Sequence, residues 1–224
     1  MSRSIFRPIY LVGPSPSGKS RFIFNRDVFY ETGALPDEPP MLVATCGLDL
    51  RLWTFSCDVN KFSVFDLGGN SRFNAITKGY LSHMPCLCVY FSGLSSDTPD
   101  AEKKAYFLQW YKAVAPHAGS KIIYVELPSK EKGGPAVAMQ PIDSNLEAIC
   151  ADFHEYKVQA DVRTLSGVAF LDAVLGAVAS QYYKHLAAPS VDKATCFKPI
   201  EPALDSGACT SAAAGAGGAG MFKS

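Results

Sequence analysis

Hydrophobic residues fall along the chain in short dense runs, separated by polar stretches rich in glycine and proline. Residues 5–12 are β-branched and aromatic and run straight into glycine, serine and proline, the pattern of a buried strand entering a loop. Residues 21–29 set Phe22, Ile23 and Phe24 against polar Arg21, Asn25 and Arg26, which predicts a short helix. Residues 32–40 hold three prolines and two acids, and proline favours extended backbone before it, so an exposed mobile loop is expected. Residues 48–56 and 60–65 predict two strands joined by a turn near Asp58. Residues 85–91 are almost continuously apolar, as in a central strand covered on both faces.

Farther on, residues 104–114 predict a helix with Tyr106, Trp110 and Val114 on one stripe. Residues 121–127 predict another buried strand, and 128–135 a polar, glycine-rich loop. A helix over 142–151, a last strand over 153–158 and a closing helix over 168–186 complete the series. Strands alternating with helices imply an α/β fold, a mostly parallel six-stranded sheet with helices on both faces. From residue 187 the composition turns to alanine, glycine, proline and serine. The expected organisation is one domain over 1–186 and a disordered tail over 187–224.

Composition narrows this little further. The 224 residues are 48% hydrophobic, enough for one domain that buries roughly 70% of its unfolded surface. Twenty-one basic residues balance twenty-one acidic ones, so no global field draws the chain to nucleic acid or anionic lipid. Seven cysteines without metal-type pairing read as reduced cytosolic thiols. No segment reads as a membrane span, Ser2 rather than glycine follows Met1, and residues 220–224 lack a prenylation cysteine; the expectation is no direct membrane anchor. His83, His117, His154 and His185 lack metal-ligand spacing. Cys86 and Cys88, two apart on a strand, are expected as small core residues. Trp53, Phe55 and Phe62 are expected as core residues of the hairpin, and Trp110 and Tyr111 as packing groups.

The chemistry concentrates at Gly13-Pro14-Ser15-Pro16-Ser17-Gly18-Lys19-Ser20, which satisfies G-x-x-x-x-G-K-[ST] between a predicted strand and a predicted helix. Glycines let backbone curl around phosphates, and successive amides with the helix amino end supply positive potential. Lys19 would reach the β- and γ-phosphates, and the Ser20 hydroxyl would ligate Mg2+. At the end of a later strand, Phe65-Asp66-Leu67-Gly68-Gly69 offers a carboxylate for the metal and a glycine N–H for the γ-phosphate.

Taken together, the phosphate loop and this D-x-G-G resemble the Ras-like GTPases, whose fold is a P-loop G domain. The resemblance implies GTP or GDP as ligand, with Mg2+. Thr45-Cys46-Gly47 resembles the family's first-switch T-x-G, which would close Thr45 over Mg2+ and the γ-phosphate; a plain surface turn is the other reading of Thr45. The metal set so implied is Ser20, Thr45 and Asp66. The nucleotide set is Gly13, Ser15, Pro16, Ser17, Gly18, Lys19, Ser20, Arg21, Thr45, Gly69, Lys130 and Asp161.

Several positions depart from a working member. Asn70 stands where the catalytic glutamine would be, one methylene too short to orient water, and loss of such a group costs about 100-fold or more in rate. Pro16 has no N–H for the bridging oxygen, and Ser15 adds a side chain where related loops have glycine. Slow hydrolysis, or none, is expected. Where N-K-x-D belongs the chain reads Pro128-Ser129-Lys130-Glu131-Lys132; Lys130 would lie over the base, but the carboxylate for the guanine N1 and N2 donors is missing. Asp161 either supplies that acceptor or is an ordinary helix-start carboxylate.

A closer resemblance is to the Rab-like small GTPase subunits of intraflagellar transport complex B. It rests on residues 11–20, on 65–73 with Arg72-Phe73 following D-x-G-G, and on 102–111 with its Trp110-Tyr111 pair. It implies a cytoplasmic protein of the cilium or flagellum and basal body, docked on coiled-coil subunits of that complex. Two other readings use the same residues: a P-loop kinase or other nucleotide-cleaving enzyme, and an adaptor that keeps the fold without needing nucleotide.

Overall fold

The computed structural model describes residues 7–36, 40–55, 58–129, 139–141 and 156–187. In chain order these form β1 (Pro8–Val12), α1 (Lys19–Thr32), β2 (Leu48–Phe55), β3 (Asp58–Leu67), a 3-10 turn (Ser71–Phe73), α2 (Asn74–Leu81), β4 (Leu87–Ser95) and α3 (Asp100–Val114). They continue with β5 (Lys121–Leu127), β6 (Met139–Pro141), β7 (Tyr156–Gln159) and α4 (Leu165–Ala187).

The strand order is β2-β3-β1-β4-β5-β7-β6. β1, β3, β4, β5 and β7 run parallel, while β2 and β6 pair antiparallel at the two edges. Successive residues of each inner strand feed opposite faces. Ile9 and Leu11, Leu87, Val89 and Phe91, Ile123 and Val125 pack on one side. Tyr10 and Val12, Cys88 and Tyr90, Ile122 and Tyr124 pack on the other. That is why these strands read as unbroken apolar runs: both faces are covered. Phe22 and Ile23 of α1 and most of the apolar positions of α4 fill the first layer. Leu81 of α2 with Phe107 and Val114 of α3 fill the second, where Tyr90 lies 4.7 Å from Trp110 and 5.2 Å from Phe107 between ring centroids.

The helix ends follow local rules. α1 starts after Gly18 at φ 94° and stops at Gly33 at φ 76°, whose N–H donates to Phe29 O at 2.8 Å, the left-handed end glycine favours. α3 carries Asp100 and Glu102 in its first turn and Lys112 in its last, matching the helix dipole.

A polar anchor binds α1 to the first layer. Arg26, 4% exposed, donates through Nε to Asp172 of α4 and through Nη2 to Thr54 O at 3.0 Å. Its guanidinium lies 4.0 Å from the Trp53 ring centroid and 4.5 Å from that of Tyr30.

Some expectations need correction. β3 begins at Asp58 rather than at residue 60 and runs on to Leu67, with Asp58 in register with Phe55 of β2. β4 begins at Leu87 and runs on to Ser95, since past an irregularity after Phe91 Ser95 still pairs with Leu127 of β5. The buried stripe of α3 passes through Lys103, Phe107 and Val114 rather than Tyr106, which is 48% exposed. The short edge strand β6 makes the sheet seven-stranded rather than six-stranded. By length and composition alone α4 could cross a membrane, contrary to the sequence reading; its apolar residues serve the core, and Asp172 is buried among them. The predicted helix over 142–151 and the tail from residue 188 lie outside the described residues.

Trp53, Phe55 and Phe62 are all buried. So are Cys86 and Cys88, whose sulfurs stand 3.6 Å apart as separate thiols.

Candidate functional site

β1 lies between β3 and β4, so its exit loop opens at the carboxyl ends of three parallel strands, the usual crevice for a ligand in such a sheet. Close packing fixes the loop there. Gly13 has φ +126°, and a Cβ on it would stand 2.1 Å from Phe91 O of β4. On the other flank, a Cβ on Gly69 would stand 2.6 Å from Gly13 O and from the carbonyl carbon of Pro14. Only bare backbone at these positions lets the three segments meet.

Lys19, at the first turn of α1, is 5% exposed. Its Nζ donates to Gly13 O at 3.0 Å, Pro14 O at 2.9 Å and Ser17 Oγ at 3.1 Å. Burial lowers its pKa to about 8, with the nearby Asp66 carboxylate opposing that shift. The ammonium is thus costly to keep and held by its own loop, a group that an oxyanion would stabilise.

Next to it Ser20, Thr45 and Asp66 converge from α1, from the segment before β2, and from β3. Ser20 Oγ donates to Asp66 Oδ2 at 2.6 Å, Thr45 Oγ1 donates to the same oxygen at 2.8 Å, and the two hydroxyls are 2.9 Å apart. The second oxygen, Asp66 Oδ1, is buried without a hydrogen-bond partner. Two hydroxyls and a carboxylate with an unsatisfied buried oxygen are the hard donors that Mg2+ takes. Among the described residues no cluster of three His, Cys, Asp or Glu side chains offers a softer site. Thr45 is reached along a lightly attached segment: Gly68 N donates to Gly47 O at 2.8 Å, and Arg21 Nη2 donates to Pro40 O at 3.2 Å.

A cleft of about 520 Å3 takes in Lys19, Ser20 and Thr45; Ser15, Pro16, Ser17, Gly18, Arg21 and Gly69 line it with them, together with Met41, Leu42, Val43, Gly93, Leu127, Val162 and Arg163, while Asp66 lines an adjoining pocket with Ser20 and Thr45. Arg21 keeps a buried Nη1 without a partner.

Two named residues sit differently. Asn70 is exposed and accepts from Arg72 N at 3.1 Å through Oδ1, capping the 3-10 turn. Asp161 is not among the groups lining the cleft; its carboxylate is gripped by Arg163 through Nε and Nη2, both at 2.8 Å. That pairing lowers its pKa. Lys130 lies outside the described residues.

Sequence reasoning missed Leu127, Val162, Arg163 and Gly93 as cleft walls. Gly93, at φ +71°, brings β4 within 3.1 Å of Pro16 O for an added Cβ, and only its place after an apolar run could have marked it.

No known family profile matches the chain, and no curated protein matches it. Among solved structures 692 chains match, so the fold is widely shared and does not by itself name a ligand. One is Roco2 RocCORdC of Methanosarcina barkeri bound to GDP, at a TM-score of 0.51 and 16% identity. The match covers 78% of this chain and 49% of that one, so the chain spans about half its length. The likeness carries the fold, an α/β fold of the Ras-like G-domain type: the alternating strands and helices predict the α/β class, and the motif resemblance implies the G-domain type.

Proposed function

We propose that the chain binds a guanine nucleotide, GTP or GDP, as its Mg2+ complex, and works as an atypical small GTPase, a switch or scaffold whose own hydrolysis is slow or absent. The observation that carries this reading is the meeting of Ser20, Thr45 and Asp66 beside the Lys19 cradle. The loop amides and Lys19 would hold the β- and γ-phosphates, and the two hydroxyls with Asp66 would hold the metal. Mg2+ bound there would offset phosphate charge. Thr45 sits on the lightly attached segment, so contact with the γ-phosphate would order that segment and its loss would release it. Asn70 turns its oxygen into its own 3-10 turn, which leaves the attacking water without an orienting side chain and supports slow turnover. The GDP in the matched Roco2 structure agrees with the guanine choice.

The place of work we propose is intraflagellar transport complex B, with the chain docked on coiled-coil subunits in the cilium or flagellum and drawn from the cytoplasm and basal body. The resemblance over residues 11–20, 65–73 and 102–111 supports it. So do three exposed leucines at alternate positions of edge strand β2, Leu48, Leu50 and Leu52, of the kind that seats an apolar partner.

Identifying the nucleotide that copurifies, followed by calorimetry with GTP, GDP and ATP with and without Mg2+, tests the reading. Guanine nucleotide is expected; no uptake at millimolar ligand overturns it. For the partner, Leu50→Glu with Leu52→Glu is expected to abolish capture by a reconstituted coiled-coil pair of the complex, and unchanged capture overturns the docking face.

One observation favours a second reading, an adaptor independent of nucleotide. Lys19 is already held by Gly13, Pro14 and Ser17, and Ser20 and Thr45 bond each other and one oxygen of Asp66. Absence of any bound nucleotide together with normal partner capture would select it.

A further inference from the structure

Phosphates and metal account for one end of the cleft, and the other end remains to be assigned. Its walls there are Leu127 at the end of β5 and Val162 and Arg163 from the turn between β7 and α4. Among the described residues lining the cleft, the charged ones are Lys19, Arg21 and Arg163. The first two belong to the phosphate end.

The turn that carries Arg163 is held from three sides. Asn25 Nδ2 of α1 donates to Val162 O at 2.7 Å, and Val162 packs 3.3 Å from where a Cβ on Gly18 would stand. Thr164 N donates to Asp161 O at 3.0 Å, and Gly167 N donates to Thr164 Oγ1 at 3.1 Å. Gly167 allows the first turn of α4 to press on the loop, since a Cβ there would stand 2.1 Å from Asp161 O. The Arg163 side chain is 70% exposed, yet Asp161 aims it: Nε and Nη2 each donate to one carboxylate oxygen at 2.8 Å. A guanidinium has five N–H donors in a fixed fork. Holding one edge leaves Nη1 and the second Nη2 hydrogen directed outward from the pair.

We infer that Arg163 is the purine-discriminating residue of this cleft, offering that outer edge to the O6 and N7 acceptors of guanine, with Asp161 as its positioning partner; the inference rests on the nucleotide-binding reading above. Adenine presents an N6 donor where guanine has O6, so one N–H would meet another N–H, whereas guanine accepts both. Leu127 and Val162 supply apolar walls for the flat base. In this arrangement the carboxylate of Asp161 does not read the base itself: both its oxygens are taken.

Calorimetry of the full chain with Mg-GTP and Mg-ATP decides the matter, on wild type, Arg163→Met, Arg163→Lys and Asp161→Ala. Wild type is expected to prefer GTP by roughly tenfold to a hundredfold, the usual worth of a bidentate arginine contact to those acceptors. Arg163→Met is expected to bring GTP affinity down to the ATP value and leave ATP affinity unchanged. Arg163→Lys and Asp161→Ala are expected to lose part of the preference, through a poorer fork and a freed fork. Equal loss of GTP and ATP affinity in Arg163→Met would make Arg163 a phosphate or ribose contact and overturn the inference. A preference that survives Arg163→Met, or is abolished by Asp161→Ala alone, overturns it too. A wild-type chain that binds triphosphates without preference defeats this inference only; one that binds neither defeats the nucleotide reading with it. Thermal melts show whether each variant is folded, and an exposed side chain such as Arg163 is expected to leave them unmoved.

Discussion

Arg26 of α1 lays its guanidinium 4.0 Å from the centroid of the Trp53 ring while donating through Nε to Asp172 of α4. Tyr30 OH donates to the other Asp172 oxygen at 2.6 Å, and Trp53 Nε1 donates to Asp27 at 3.1 Å. Charge, ring and carboxylate thus fasten α1, β2 and α4 at one point. Removing one partner of a buried ion pair leaves an uncompensated charge, at a cost of about 3–5 kcal/mol. Asp172→Ala is therefore expected to lower stability by that order in denaturant titration. The double change Arg26→Met with Asp172→Leu is expected to recover most of the loss, because it removes both charges and keeps volume.

At the metal end, Asp66→Ala is expected to weaken Mg-GTP by roughly tenfold to a hundredfold, since hydrogen bonds and contacts to a charged group are worth about 1.5–3 kcal/mol. Chelating Mg2+ from wild type should reproduce the weakening, and the variant should no longer respond to chelation. Calorimetry with and without EDTA reads both.

Lys19 sets the pH dependence of binding. Its pKa in the free chain is lowered to about 8, and a bound polyphosphate, favouring the charged ammonium, raises it. Below pH 8 the ammonium is present in free and bound forms, so affinity is level. Above about 8 the free chain loses its proton and must regain it on binding, so affinity falls as pH rises. Titrations of GTP across this range are expected to show that decline in wild type and none in Lys19→Met, which binds weakly throughout.

Asn70 caps the 3-10 turn through Oδ1, so its side chain is taken up by its own loop. Single-turnover phosphate release is expected to be slow in wild type and unchanged within about threefold in Asn70→Ala, because a group that does not position the water contributes little to its attack. A large fall in that variant would place Asn70 in the chemistry.

The fold was legible where apolar runs were long. Residues 121–127 coincide with β5, and the phosphate loop stood out because spacing alone defines it. Edges were less legible for a physical reason. The end of β4 is half-exposed at Leu94 and Ser95, yet Ser95 stays in the sheet by pairing with Leu127 of β5. Tyr106 reads as a core position because α3 is apolar on more than one side, and only packing chooses Phe107. Thr45 is 21 residues from Asp66 in sequence, and motif resemblance rather than periodicity suggested their meeting. Arg163 carried no signal at all: an arginine two residues past an aspartate is common, and only the turn that Asn25 and Gly167 hold makes it a cleft wall.

Tyr183 lies in the last turns of α4, yet its hydroxyl donates to Pro8 O of β1 and receives Leu87 N of β4 at 3.3 Å. The roots of the two strands whose tips cradle Gly13 are thus tied to a residue 175 positions away from the first of them. A shortened chain that stops ahead of Tyr183 forfeits this tie and, with it, the alignment of the cleft's floor, whereas trimming that spares residue 183 leaves the tie whole.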